Sequence, residues 1–189
     1  MSAKEGQDIF AEIIYQKSNS KKASFLDIGC GDCVSGNNTI KLEEFGWDGF
    51  CLDLNPTNYS TRKQVPIRGD VKSFDWEKLI LKKCTIGYIS LDVDDANVEV
   101  INGNLFEMCD FVCMTFETDK YNCGDKRKKH LLNFIDKNPE YFILFEDVKV
   151  EDLEFEDWVV NKNYTPFTKK LGKSLSWQEC LEKLDEFES

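Results

Sequence analysis

Residues 25–38 read FLDIGCGDCVSGNN, and two chemistries compete for them. Cys30-Gly-Asp-Cys33 has the spacing of a redox or zinc pair. Phe25 to Gly31 looks instead like a buried strand that empties into a glycine turn, the place where an α/β sheet presents a nucleotide-like cofactor. The choice between them decides the fold class, so the flanking pattern has to be read first.

Working outward, Ser24–Ile28 is a short apolar run ending in glycine, a buried strand. Upstream, Ile9, Phe10, Ile13 and Ile14 fall at helical spacing within residues 5–17. Downstream, Asn37–Phe45 reads as a helix with Ser35 or Asn37 as N-cap and Gly46 as its stop. The alternation then repeats. Phe50–Leu54 is a strand stopped by Asn55-Pro56, Val65–Ile67 is a third, and Asp75–Lys83 is a helix. Thr85–Val93 is apolar on both faces, as a central parallel strand should be. Asn97–Phe106 is helical, Phe111–Phe116 a buried strand, and Lys126–Asp136 another helix. Tyr141–Val148 and Asp157–Val160 follow as an antiparallel hairpin at the sheet edge, with the acidic run between them as its loop. Ser176-Trp-Gln-Glu179 is a capping-box pattern. It opens a helix that places Trp177, Cys180, Leu181, Leu184 and Phe187 on one face, either covering the sheet or forming a dimer contact. Strands alternating with helices predict an α/β domain with a mostly parallel sheet. Its parts are an N-terminal helix in 1–22, a core over 24–161 and a C-terminal extension over 162–189.

The bulk numbers narrow the function. The chain has 189 residues, enough for one domain, and 35 acids against 24 Lys and Arg give a net charge of −11. That field disfavours nucleic acid and anionic membranes and favours a cationic ligand. No run approaches a membrane span, and charges interrupt the first 22 residues where a secretory leader would need an apolar core. Eight cysteines without an export signal point to free thiols in the cytoplasm.

The glycine turn argues against a dinucleotide. A dinucleotide loop wants G-x-G-x-x-G, and counting from Gly29 the third position is Val34. Asp32 would also face the pyrophosphate, anion against anion. S-adenosylmethionine carries no phosphate and bears a sulfonium cation, which suits an acidic loop. Asp53, ending the second strand, can accept both ribose hydroxyls. Asp70 can take the adenine amino group, with the Val71 amide beside the ring. The candidate cofactor contacts are therefore Asp27, Gly29, Gly31, Asp32, Asn38, Asp53, Leu54, Asp70 and Val71. The helix after the loop would point its amides at a ligand carboxylate.

Acids also end the next two strands: Asp92, Asp94 and Asp95, then Glu117 and Asp119. A carboxylate there can assist loss of a proton from an attacking hydroxyl, so Asp92, Glu117 and Asp94 are the candidate catalytic residues. A divalent metal could serve the same step, but no metal ligands are assigned. The bland readings stand beside these. A zinc site at Cys30 and Cys33 needs two further ligands, for which Cys109 and Cys113 are the available pair. His130 and the basic cluster Lys126–Lys129 read as a solvated face or as a grip on an anionic acceptor. Tyr121 could line the acceptor site, and Trp158 is either core or acceptor border.

Five blocks together resemble a known family: LDIGCGDCVSGNN (26–38), FGWDGFCLDLNP (45–56), ISLDVDDANVEVI (89–101), TFETDKYNCGDKRKKH (115–130) and EDVKVEDLEFEDWVV (146–160). The chain resembles the class I S-adenosylmethionine-dependent methyltransferases, and more narrowly the FkbM-like group. The resemblance implies a Rossmann-like three-layer sandwich with a seven-stranded, mostly parallel sheet carrying an antiparallel edge strand. It implies Asp27, Gly29 and Gly31 around the methionine part of the cofactor, and methyl transfer to a hydroxyl of a sugar, glycan or other small metabolite. The chain departs from the family pattern at Cys33 and Asp95, where glycine is usual, and at Thr118, where histidine is. The last two lie on the acceptor side and keep open the alternative of a non-catalytic adenosyl-binding or scaffolding protein.

Overall fold

A computed structural model describes residues 6–187. Eight strands form one sheet: β1 (Ser24–Ile28), β2 (Asp48–Asp53), β3 (Ile67–Arg68), β4 (Cys84–Leu91), β5 (Cys109–Glu117), β6 (Tyr141–Val150), β7 (Leu153–Asn161) and β8 (Gly172–Lys173). Their order is β3-β2-β1-β4-β5-β7-β6-β8. All neighbours pair in parallel except those of β7, which runs against both β5 and β6. The protein is thus α/β with a mixed, mostly parallel sheet. Two expectations are corrected: eight strands stand where seven were expected, and the antiparallel strand lies inside the sheet rather than at its edge.

The side-chain alternation of a strand explains why β1 carries apolar residues on both faces. Phe25 points into one core and Leu26 and Ile28 into the other. The first core is closed by α1 (Gln7–Lys17) and α7 (Trp177–Glu186). Phe10 of α1 stacks on Trp158 of β7, ring centroids 4.5 Å apart, and Trp158 is fully buried. Trp158 is therefore core, not acceptor border. The α7 capping box forms as read, Ser176 and Glu179 exchanging bonds, and Cys180 and Leu184 are buried beneath the helix. The second core lies under α3 (Asn97–Asn102), α4 (Leu105–Met108) and α6 (Lys126–Lys137), with Leu131 and Phe134 of α6 facing Phe111 and Ile143. A short α5 (Lys120–Cys123) precedes α6.

Several predicted helices shrink for identifiable reasons. The helix expected over 37–45 is only α2 (Ile40–Glu44), because the Asn37 side chain accepts from the amides of Thr39 and Ile40 and starts the helix late. The first amide of that short helix is taken by Asn37. The helix expected over 75–83 is one 3-10 turn, Trp76–Lys78. Residues 69–83 must run from the end of β3 back to the start of eight-residue β4, about 26 Å of strand. Wound fully into helix they would span only ~22 Å, so the crossover forms short turns at 70–73 and 75–80 joined by irregular chain. The expected helix 97–106 breaks at Gly103 into α3 and α4.

The acidic run read as a loop is mostly strand. Glu151 and Asp152 alone make the turn, both at positive φ (49° and 67°), the backbone that a two-residue hairpin requires. Leu153–Asp157 then belong to β7. Cations neutralise their carboxylates: Lys120 Nζ lies 2.7 Å from Glu154 and Lys128 Nζ 3.2 Å from Asp157. No helix among the described residues is long and apolar enough to cross a membrane.

Truncating the ring that ties α1 to the sheet tests this packing. Phe10→Ala should cost roughly 3–5 kcal/mol in urea unfolding, the usual cost of removing a buried phenylalanine. A loss below 1 kcal/mol would show that α1 does not depend on Trp158.

Candidate functional site

Strand β1 sits between β2 and β4, so the chain crosses the sheet in opposite directions on leaving it, and a crevice opens beyond the strand ends. Gly29 follows β1 at φ 95°. A Cβ there would lie 1.7 Å from the Asp92 carbonyl oxygen, so only glycine lets the ends of β1 and β4 close up. Asp27, the last inward acid of β1, is buried; its Oδ2 accepts from Asn37 (3.0 Å) and Thr39 (2.8 Å). Burial pushes its pKa up, against these bonds and the nearby Arg62. Arg62 is itself buried and donates to Asn37 Oδ1 (2.8 Å), Thr39 Oγ1 (2.9 Å) and Glu43 (3.1 Å).

Two cavities open here and share Asp92. The smaller, about 210 Å³, is lined by Asp27, Gly29, Asn37, Asn38, Asp92 and Phe155. The larger, about 440 Å³, is lined by Asp53, Leu54, Asp70, Val71, Asp92 and Asp94. A volume of that order is usual for a small-ligand site, ~300–1,000 Å³. The structure therefore gathers Asp27, Gly29, Asn38, Asp53, Leu54, Asp70, Val71, Asp92 and Asp94 at one place. Asp53 is preset: Oδ2 accepts the Gly31 amide (2.9 Å) and Oδ1 the Asn55 amide (2.6 Å). Each oxygen keeps a further lone pair.

Gly31 and Asp32 line neither cavity, which corrects their assignment. Gly31 acts through its bond to Asp53. Asp32 builds the turn instead: Oδ1 accepts from the amides of Val34 and Ser35 and Oδ2 from the Asn58 side chain. Those bonds, that of Ser35 first, hold its pKa below the usual carboxylate range. Cys30 and Cys33 are buried with sulfurs 3.6 Å apart. Burial pushes the Cys33 thiol up to about 11. Cys30 rises as well, through its contact with Cys51 and its burial. These are inert core thiols. Cys109 bonds the Leu105 carbonyl and Cys113 that of Gly87, so neither completes a zinc site.

On the far side of Asp92 lies Glu117, at the end of β5 and buried. Asn97, fully buried, ties the two strand ends: it accepts from the Val93 amide and donates to the Glu117 carbonyl, each at 2.9 Å. Burial and the charges of Asp92 and Asp119 raise Glu117 to about 9, outweighing Arg127, whose Nη1 lies 2.9 Å from Glu117 Oε2. Asp92 rises to about 6, chiefly through burial, while its hydrogen bond from Glu117 opposes the shift. Both carboxyls thus hold a proton more tightly than a free carboxyl does, Glu117 the more so.

Arg127 is the residue that sequence reading missed. It also reaches Asp119 (3.1 Å), Asp94 (3.3 Å) and Asp95 (3.5 Å), so it is engaged by the chain's own acids and not held out to an anionic acceptor. Its signal was legible: Arg127 stands four residues before Leu131 and seven before Phe134, a cation on the apolar face of α6. Asp94, Glu117 and Asp119 each bring an oxygen within 4.8 Å of the others, a spacing that could hold a divalent cation, the only such group among the described residues; here Arg127 supplies positive charge. His130 contacts Asn102 outside the site. Tyr121 is half exposed, its ring stacked 6.4 Å from Phe155. Thr118 is bonded to the Phe155 carbonyl at 3.0 Å. No protein-family model, curated protein or solved structure matches the chain.

The Glu117 proton has a stability consequence. Glu117 is raised from its ordinary 4.5 to about 9, so the folded state binds that proton more tightly than the unfolded chain. The contribution is complete below about pH 4.5 and lost as pH rises through about 9. Glu117→Gln should therefore show a flatter decline in melting temperature between these limits than the wild type. Parallel profiles would place the proton elsewhere.

Proposed function

We propose that the protein is an S-adenosylmethionine-dependent methyltransferase of the FkbM-like kind, with a Rossmann-like sheet, acting on a hydroxyl of a sugar or other small metabolite. One observation carries the reading. Carboxylates at the ends of β1, β2 and β4, with Asp70 just after β3, line two cavities that share Asp92 beyond the centre of the sheet. The strand order, with its single reversed strand, is compatible with the sandwich that the sequence blocks imply. The cofactor brings an electrophilic methyl group on a cationic sulfur.

The residues fit that group better than a phosphate-bearing one. Asp53, fixed by two backbone amides, offers one remaining lone pair per oxygen to a vicinal diol. Leu54, 70% exposed, and Val71 offer apolar walls to a base, and Asp70, its Oδ1 already turned by the Lys72 amide, an acceptor for an amino group. The Gly31 amide, which a pyrophosphate would need, is bonded to Asp53. On the acceptor side, Asp92 lines both cavities, and burial raises its pKa to about 6, within the range of a general base for a hydroxyl proton. Holding the hydroxyl in line with the methyl supplies much of the remaining acceleration.

A second reading has its own support. Arg127 engages Glu117, Asp119 and Asp94, and Thr118 is tied to the Phe155 carbonyl, an arrangement that suits an adenosyl-binding or scaffolding protein without turnover. Product formation with a panel of sugars and small alcohols separates the two.

Calorimetry tests the shared premise. S-adenosylhomocysteine should bind and NAD should not. Asp53→Asn and the exposed Asp70→Ala should each weaken binding about tenfold, ~1.4 kcal/mol. Absence of wild-type binding, or unchanged affinity in both variants, would overturn the assignment.

A further inference from the structure

The amino ends of the strands carry a second cavity, remote from the one just described. It measures about 470 Å³ and is walled by Phe25, Leu26, Phe50, Ile80, Leu81 and Ile86, at the starts of β1, β2 and β4 and the end of the β3–β4 crossover. The crossover beside the groove is a series of turns rather than one continuous helix. A helix there would cover the sheet face, whereas the single turn Trp76–Lys78 leaves it open. Leu81 is 88% exposed and Phe50 40%, so the apolar wall continues to the surface.

The charge at this groove opposes that of the molecule. Lys22 and Lys82 line it, and neither forms an ion pair with a carboxylate among the described residues. The one acid in the lining, Asp48, lies 3.7 Å from Lys63. In a chain of net charge −11, two uncompensated ammonium groups beside an apolar groove match a ligand with a single anionic head and an apolar body.

We propose that this groove binds a small, soluble anionic amphiphile, a carboxylate on an apolar tail, with its head at Lys22 and Lys82 and its tail against Phe50, Ile80 and Leu81. A bilayer is the less suitable source of the same chemistry, because the net negative charge repels an anionic surface. The concave shape also takes one tail rather than a plane of head groups.

Cys84 lies in the lining and is exposed, whereas the other cysteines are buried or partly buried, so it reports occupancy. With the full chain, saturating decanoate should slow iodoacetamide alkylation of Cys84 at least tenfold, as read by peptide mass mapping. Decanol should bind at least tenfold more weakly than decanoate in calorimetry. The surface double variant Lys22→Glu/Lys82→Glu, with unchanged circular dichroism, should lose decanoate affinity at least tenfold, and Leu81→Gln should weaken decanoate and decanol alike. Unprotected Cys84 would overturn the location. Equal binding of decanol and decanoate, or an unaffected double variant, would overturn the anionic head. Binding to phosphatidylglycerol vesicles without binding of free decanoate would overturn the soluble ligand in favour of a membrane.

Discussion

A carboxylate cannot be buried without compensation, and that constraint governs the crevice. Asp27 lies inside the protein at the end of the central strand, where an isolated charge would be prohibitive. Asn37, Thr39 and Arg62 surround it, and the same three residues define the route of the chain between β1 and α2. Removing any one leaves a polar group buried and unpaired, typically a loss of ~1–3 kcal/mol and more for a charge. The loop is therefore shaped from below, by the neutralisation of Asp27, and its glycines serve that shape: Gly29 by admitting the Asp92 carbonyl, Gly31 by donating to Asp53.

Arg127 plays the corresponding part at the opposite wall. Both guanidiniums come from segments distant from the acids they meet, and both are nearly inaccessible to solvent. Breaking such a pair by deleting one partner usually costs about 3–5 kcal/mol because the other charge remains. The two arginines thus hold together a site whose other members repel one another. Asn97 adds an uncharged brace, fixing the separation of β4 and β5 through backbone atoms that titration does not alter.

Much of this was legible in the sequence, and the omissions share a cause. Strand β1 was read to the residue, because an apolar run closed by glycine has one simple explanation, and the α7 cap followed from Ser176 and Glu179 alone. Asp53, Asp70 and Asp92 were found by their positions at strand ends. What failed depended on partners supplied by tertiary structure. Residues 153–156 read as a loop because acids in a row look solvated, and Lys120, which meets Glu154, is not adjacent in the chain. Asp32 read as a ligand contact because its acceptors' true donors, Val34, Ser35 and Asn58, become visible only once the turn is closed. Residues 75–83 of the crossover read as a helix because their apolar spacing allows one, whereas the length of β4 does not.

The proposed reading has the crevice prefer a sulfonium nucleoside over a nucleotide, and a magnitude supports that preference. Arg62 and Arg127 are already engaged by acids. Lys72, the cation in the larger cavity's lining, lies 3.9 Å from Glu99. Asp53, Asp70 and Asp92 therefore face the cavity with little counter-charge. A unit charge ~4 Å from a carboxylate interacts by about 4 kcal/mol near a protein surface. Exchanging a cation for a phosphate at that distance thus swings the energy by roughly twice that, whereas a hydrogen bond contributes ~1 kcal/mol net. No rearrangement of a few loop amides recovers such a difference. On the proposed reading, the acidity of the chain, otherwise a bulk property, becomes at this point a selection rule for the ligand.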